Sequence, residues 1–220
     1  MNSPPFQQTV LIQTVFIVDD DAAVRKSLQL LIEMVGLNVR TFPSAANFLD
    51  AYEPGSAGCL ILDLKMPGMN GLDLQQELIR RHCGLPIIVL TGYGDIPSAI
   101  GALKGGAVEF LEKPVDDDVL LEHVRHALAL DAHRRREHSE RDLVRERMEL
   151  LTPRERQVLD LVVEGLSSKE IGQRLHVSCK TVEMHRSRIM KKMKTQSVAN
   201  LVRIVVGVEA KSSGTSTIDS

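Results

Sequence analysis

Cysteine is scarce in this 220-residue chain: Cys59, Cys83 and Cys179 are all it has. Three scattered thiols exclude a disulfide framework or a zinc site and fit a reducing compartment, where each is buried or neutral. No uninterrupted apolar run approaches the roughly 20 residues that a membrane-spanning helix needs, so a soluble protein with no membrane partner is expected. The N-terminal stretch MNSPPFQQTV lacks a basic region followed by a long apolar one; no secretory signal is read, and a cytoplasmic protein is expected. A large charge of one sign is missing too, with 27 Lys and Arg against 29 Asp and Glu. What is present is 43% apolar and 25% charged residues. That composition excludes disordered and collagenous chains and supplies one large domain or two small ones.

The net charge of −2 conceals a division. Residues 1–130 sum to −7, residues 131–150 to zero, and residues 151–220 to +5. An acidic first part joined to a smaller basic part suggests two jobs, with the basic end suited to a polyanion.

Residues 13–130 alternate short apolar runs with helical periodicity. Val15-Phe16-Ile17-Val18, Cys59-Leu60-Ile61-Leu62, Ile87-Ile88-Val89-Leu90 and the weaker Val108-Glu109-Phe110-Leu111 read as parallel strands buried on both faces. The alternating segment 37–42 reads as an edge strand. Helical stripes lie between them, at 24–35 with Gly36 as a C-cap, at 74–78, at 99–103 and at 120–128. Five strands alternating with five helices predict a doubly wound α/β domain with a five-stranded parallel sheet.

Residues 131–150, DAHRRREHSERDLVRERMEL, have no core-facing apolar residue between His133 and Asp142. They predict a charged linker, either helical in part and continuing the fifth helix, with Glu137–Arg141 and Arg136–Glu140 as supporting pairs, or a flexible charged tether. From residue 151 to 208 four helices and no strand are predicted. Thr152-Pro153-Arg154-Glu155 carries the marks of a capping box with Pro at the first helical position. Helices at 168–175, 180–194 and 198–206 follow, and the small polar residues 209–220 predict a disordered tail.

In a parallel sheet, ligands sit at the carboxyl ends of the strands near the switch in strand order. Asp19, Asp20 and Asp21 follow the first strand, Asp63 the third, Thr91 the fourth and Lys113 the fifth. Carboxylates that converge repel one another unless a hard cation joins them, and Mg²⁺ with oxygen ligands and retained waters suits such a set. A carboxylate beside Mg²⁺, with a hydroxyl and an ammonium for phosphoryl oxygens, can act as a nucleophile toward a phosphoryl donor. Asp21 is equally explained as a helix cap. His123, His126, His133 and His138 read as surface residues.

The segments Phe16-Ile17-Val18-Asp19-Asp20-Asp21, Asp63-Leu64-Lys65-Met66-Pro67-Gly68-Met69-Asn70-Gly71, Leu90-Thr91-Gly92-Tyr93-Gly94-Asp95 and Phe110-Leu111-Glu112-Lys113-Pro114 resemble the receiver domain of two-component response regulators. The resemblance implies that Asp63 is the phosphoacceptor. It also implies that Asp20, Asp63 and the backbone carbonyl of Lys65 ligate Mg²⁺ or Mn²⁺, with Asp19 acting through a metal-bound water. Thr91 and Lys113 would bind the phosphoryl group, Phe110 would be the aromatic that repacks on activation, and the Lys113-Pro114 peptide would be cis; Tyr93 reads equally as a switch-surface residue or as a loop aromatic.

A helix, a short helix, a tight turn and a Lys/Arg-rich helix form the arrangement of a helix-turn-helix reader. Residues 151–159, 165–172 and 177–186 resemble the LuxR-type helix-turn-helix. Together with the receiver-like segment, the chain resembles the FixJ subfamily of transcriptional regulators. This implies a major-groove helix on double-stranded promoter DNA. Lys180, Thr181, Glu183, Met184, Ser187, Arg188, Lys191 and Lys192 are its candidate contacts. Glu183 can accept from a cytosine amino group and Met184 can pack on a thymine methyl, while Lys180, Arg188, Lys191 and Lys192 suit phosphates. His185 is expected to pack inside.

The implied function is a phosphorylation-controlled transcription factor. A sensor histidine kinase is its phosphoryl donor, a homodimer forms when it is phosphorylated, and RNA polymerase is a further partner. No separate substrate would be turned over beyond autodephosphorylation. An enzyme with an aspartyl-phosphate intermediate is a rival, but it would want a second acid in an Asp-x-Asp motif, which Asp63-Leu64-Lys65 lacks. A constitutive DNA-binding protein with a vestigial pocket is the other, opposed by the intact set of Asp20, Asp63, Thr91 and Lys113.

Overall fold

The computed structural model describes residues 12–92 and 105–212, with side chains as far as Val208. Tyr93 and the predicted stripe 99–103 lie outside the described residues. The chain divides into two compact units, residues 1–135 and 136–220.

In the first unit, β1 (Thr14–Val18), β2 (Asn38–Phe42), β3 (Gly58–Asp63), β4 (Ile87–Thr91) and β5 (Glu109–Glu112) form one sheet. Its order is β2-β1-β3-β4-β5 and every pairing is parallel. Helices α1 (Ala22–Met34), α2 (Ala45–Ala51) and α3 (Gly71–Arg80) intervene, and α4 (Asp117–Glu149) follows β5.

The apolar runs of the central strands supply both faces of the sheet because successive side chains point to opposite sides. Phe16, Val18, Leu60, Leu62 and Val89 pack with Phe48 of α2 and Leu74 and Leu78 of α3. Val15, Ile17, Cys59, Ile61 and Ile88 pack with Leu28 and Ile32 of α1 and Leu120 and Val124 of α4. Burial of Cys59 pushes its thiol up to about 12, so this residue is a core side chain rather than a reactive one. The segment read as an edge strand is β2, which carries the exposed, alternating pattern of a sheet margin.

A buried carboxylate and a half-buried guanidinium fix the end of the first unit. Asp131 on α4 is 2% exposed and accepts from the Gly58 backbone N–H at 2.9 Å and from Arg135 Nε at 2.7 Å. Arg135 in turn donates to the carbonyls of Gly55, at 2.8 Å, and Ser56. Gly58 cannot be replaced here, because φ is +146° and a Cβ would fall 1.8 Å from the Thr14 carbonyl oxygen. The helix that starts at Asp117 continues through residue 130 to Glu149, so the stretch read as a linker is helical. Of the two predicted ion pairs on this stretch, Glu137–Arg141 forms at 3.0 Å, and no Arg136–Glu140 pair accompanies it.

The second unit is helical: α5 (Pro153–Val163), α6 (Ser168–Leu175), α7 (Cys179–Lys192) and α8 (Val198–Ser212). Val158, Leu159, Ile171, Val182, Ile189, Met193, Leu201 and Val205 form its core, joined by Val144 and Met148 from the end of α4. Both α5 and α6 start with capping boxes, Thr152 with Glu155 and Ser167 with Glu170. Helix α7 stops at Lys192, and Lys194 takes a left-handed φ of 52° that ends the turn. Helix α8 reaches Ser212, past the boundary at 208 read from composition. Val208, Glu209 and Ala210 are ordinary helix residues, and no Pro intervenes before the polar run to stop the propagation.

Candidate functional site

The order β2-β1-β3-β4-β5 reverses direction between β1 and β3, which opens a crevice at their carboxyl ends. Asp19 follows β1 and Asp63 closes β3; they are 2% and 5% exposed. The side chain of Lys113, one residue beyond β5, joins them: its Nζ donates to Asp19 Oδ2 at 2.6 Å and to Asp63 Oδ1 at 2.8 Å. Asp63 Oδ2 also accepts from the Lys65 backbone N–H at 2.8 Å, and Asp19 Oδ1 accepts from the Asp21 N–H at 2.9 Å. Arg25 of α1 donates to the Asp19 backbone carbonyl at 2.7 Å and braces the loop from the other side.

Burial raises Asp63 above the ordinary carboxylate range, against the opposing pull of Lys113. For Lys113 itself burial works to lower the ammonium, but its bonds to Asp19 and Asp63 together outweigh that and raise it.

Thr91 ends β4, one residue past Leu90, which stands opposite Asp63. Its carbonyl accepts from the Lys113 backbone N–H at 2.7 Å. Its hydroxyl is buried and has no partner among the described residues. A buried hydroxyl without a partner is costly, so this one stands ready for an acceptor that enters the crevice. Phe110, on β5, packs partly buried against the α2–α3 side of the sheet. The Lys113–Pro114 peptide is cis.

The donor set is one of hard oxygens. Asp20 is exposed and engaged by no donor among the described residues, while Asp19 and Asp63 keep lone pairs beyond the bonds named above. The two buried carboxylates of Asp19 and Asp63 against one ammonium leave the crevice negative, which suits a divalent cation with retained waters. Among the described residues no three or more His, Cys, Asp and Glu side chains gather into a group that could by itself hold a metal ion. The residues therefore fit a partly hydrated ion and do not fit a zinc-type cage. Asp21 accepts from the Ala23 and Val24 N–H groups and is the N-cap of α1.

The second constellation is the outward face of α7. At 100° per residue, Lys180, Met184, Ser187 and Lys191 fall within about 60° of arc, opposite Val182. These four are exposed, as are Glu183 and Arg188, which flank the stripe on its two sides. Thr181 is half-buried and bonded through its hydroxyl to the N-cap Ser178 at 2.8 Å. Lys192 is different: its ammonium donates to Glu155 Oε2 at 2.6 Å and to the Leu150 carbonyl at 3.0 Å. That engagement removes Lys192 from the phosphate-facing set read from sequence, because its charge already neutralises a buried carboxylate. His185 is half-buried, and its buried Nδ1 has no partner among the described residues.

Two family models match this chain. One, described as the response regulator receiver domain, covers residues 15–125, and one described as bacterial regulatory proteins, luxR family, covers residues 149–205. A doubly wound domain with an acidic crevice followed by a helix-turn-helix module is the make-up of a DNA-binding response regulator. The transcriptional regulatory protein FixJ of Azorhizobium caulinodans is 45% identical over 192 residues, spanning 87% of this chain and 91% of that protein. The transcriptional regulatory protein TdiR of Thauera aromatica is 45% identical over 193 residues, spanning 88% and 85%. A solved structure of the response regulator StyR superposes with a TM-score of 0.79 at 43% identity, covering 88% of this chain and 98% of that one. The chain belongs to the FixJ subfamily of two-component response regulators, transcription regulators that pair a receiver with a LuxR-type DNA-binding domain. Membership implies a sensor kinase as partner and DNA as target.

Proposed function

We propose that Asp63 is the phosphoacceptor of this regulator and that its phosphorylation controls binding of α7 to promoter DNA. The observation that carries the reading is the Lys113 ammonium held between two buried carboxylates, beside a buried Thr91 hydroxyl that lacks a partner. An Asp63 carboxylate oxygen attacks the phosphorus of a phosphohistidine on the sensor kinase. The P–N bond breaks, an acyl phosphate forms, and the histidine leaves with its electron pair. Thr91 then donates its hydroxyl proton to a phosphoryl oxygen, and Lys113 pairs with another.

Asp20, Asp63 and the Lys65 carbonyl would hold Mg²⁺ or Mn²⁺, with Asp19 acting through a bound water, and the ion supplies positive charge for the phosphoryl oxygens when bound. Movement of Thr91 toward the phosphoryl group lets Phe110 repack, which remodels the surface around β5. That surface serves dimerisation or release of the DNA-binding domain. Two α7 helices held together then gain from effective concentration what one small module lacks. Lys180, Arg188 and Lys191 hold phosphates, while Thr181, Glu183, Met184 and Ser187 face the bases. The assembly works in the cytoplasm, where it meets DNA and RNA polymerase, and turns over no separate substrate.

The test is Asp63→Asn in the full chain incubated with acetyl phosphate and Mg²⁺. The wild type gains one phosphoryl group by intact mass, and the variant gains none while keeping its far-ultraviolet circular dichroism. A variant that is still phosphorylated would place the acceptor elsewhere.

A further inference from the structure

Arg25 stands near the start of α1, where the free N–H groups of a helix already gather partial positive charge and an anion is the favoured neighbour. Its guanidinium is half-buried, and Asp19, Asp20 and Asp21 all lie within the six preceding positions. Yet among the described residues it enters no ion pair. Its one hydrogen bond runs from Nη1 to the backbone carbonyl of Asp19, 2.7 Å away. A charged donor that bypasses three carboxylates for a neutral carbonyl, at the wrong end of a helix, marks that carbonyl as the group to be held.

The carbonyl belongs to the peptide that leads from Asp19 into Asp20. Because a peptide is planar, holding its oxygen also fixes the Asp20 N–H, and only φ separates that plane from the Asp20 side chain. The peptide that follows Asp20 is held as well, since the Asp21 N–H donates to Asp19 Oδ1 at 2.9 Å. Asp19 is itself anchored: its N–H donates to the Phe42 carbonyl at 3.2 Å, and its Oδ2 accepts from Lys113. Asp20 therefore hangs between two fixed peptide planes, although its own carboxylate is exposed and engaged by no donor among the described residues. The backbone has already lost the freedom that a ligand would otherwise have to remove on binding.

Resting on the reading that Asp20 and Asp63 hold a divalent cation, we propose that Arg25 is a positioning residue of that site. It sets the peptide plane from which Asp20 reaches the ion, and it touches neither the ion nor the phosphoryl group. Its two effects on the ion have opposite signs. As a charge, Arg25 repels a cation, a screened effect worth a few-fold at most near the surface. As a brace it strengthens binding, and outer groups that orient metal ligands are commonly worth about 10–100-fold in affinity. The brace outweighs the charge.

The experiment titrates the full chain with Mn²⁺ in the absence of a phosphoryl donor and reads free Mn²⁺ by electron paramagnetic resonance. Arg25→Met keeps the aliphatic stem and removes both the charge and the donor. It is expected to weaken Mn²⁺ binding about tenfold. In an Asp20→Asn background, where the residue it positions no longer serves, the same change alters affinity by no more than about twofold. In labelling by acetyl phosphate, the Mg²⁺ concentration at half-maximal rate rises about tenfold in Arg25→Met, and the maximal rate falls far less. Unchanged or tighter Mn²⁺ binding in Arg25→Met makes Arg25 a mere charge and overturns the proposal. So does an equal loss in the Asp20→Asn background, which assigns Arg25 to the fold at large. A wild-type chain that binds no Mn²⁺, or an Asp20→Asn chain that binds it as tightly as the wild type, overturns instead the reading of the cation site on which the proposal rests.

Discussion

Gly71 is the residue in the acidic crevice with least room to change. Its N–H donates to the Leu64 carbonyl at 3.0 Å, and a Cβ would stand 2.4 Å from the Asp63 carbonyl oxygen and 2.8 Å from Leu64 Cα. Backbone, not a flexible side chain, is in the way, so the loop after Asp63 has to shift to admit even a methyl group. Gly71→Ala is expected to destabilise the first unit by about 1–3 kcal/mol, the usual cost of overpacking, and to slow phosphorylation by acetyl phosphate. Gly84→Ala, with no atom within 4 Å of its Cβ, serves as the control and changes neither. Urea denaturation and the rate of mass gain measure both effects. At this scale the sequence was most legible where chemistry forces convergence: Asp19, Asp63, Thr91 and Lys113 follow strand ends, and parallel strands bring their ends together. It was least legible where a residue serves the fold through a distant backbone group. Nothing in the pattern around Asp131 or Arg135 says that they hold Gly58, Gly55 and Ser56, because that contact joins positions more than 70 residues apart.

Helix α5 shows how an element is fixed by one side chain. Glu155 is 3% exposed, and its Oε2 accepts from Lys192 Nζ at 2.6 Å, from the Thr152 N–H at 2.9 Å and from the Thr152 hydroxyl at 3.1 Å. The Lys192 bond, with those from Thr152, holds its carboxyl at about 2 against the opposing effect of burial. A carboxylate depressed in the folded state contributes stability that is present above its ordinary 4.5 and is lost as pH falls through the folded value. The second unit should therefore weaken between about pH 4.5 and 2. Glu155→Gln should remove about 1–2 kcal/mol at neutral pH and flatten that acid dependence. Hydrogen exchange of the α5 and α7 amides at pH 7 and pH 3 measures both; an undiminished acid dependence in the variant would assign it to other groups. The capping box itself was readable from Thr152-Pro153-Arg154-Glu155, because cap and acceptor are three residues apart. Its fourth member, Lys192, was not, since a lysine on a basic helix looks the same whether it faces phosphate or a buried glutamate. Helix ends were misjudged for a related reason: α8 runs to Ser212 because polar composition does not by itself stop a helix.

For the whole molecule, the division of charge into −7, zero and +5 separates two electrostatic tasks that a net charge of −2 hides. The acidic part gathers carboxylates around a single lysine, a set that stays negative until a cation and a phosphoryl group change it. The basic part presents Lys180, Arg188 and Lys191 outward. Fold class and family were legible throughout, because strand and helix periodicities differ and each motif falls at a strand end or a helix start. The central claim joins the two parts: charge added at Asp63 controls what α7 does on DNA. Its most direct measurement is the affinity of the full chain for a duplex selected by that chain, with and without beryllofluoride and Mg²⁺, beside Asp63→Asn. The account predicts tighter binding with beryllofluoride, by roughly tenfold or more as two half-sites become linked, and no such response in Asp63→Asn. Equal affinity of the wild type in both states would contradict it.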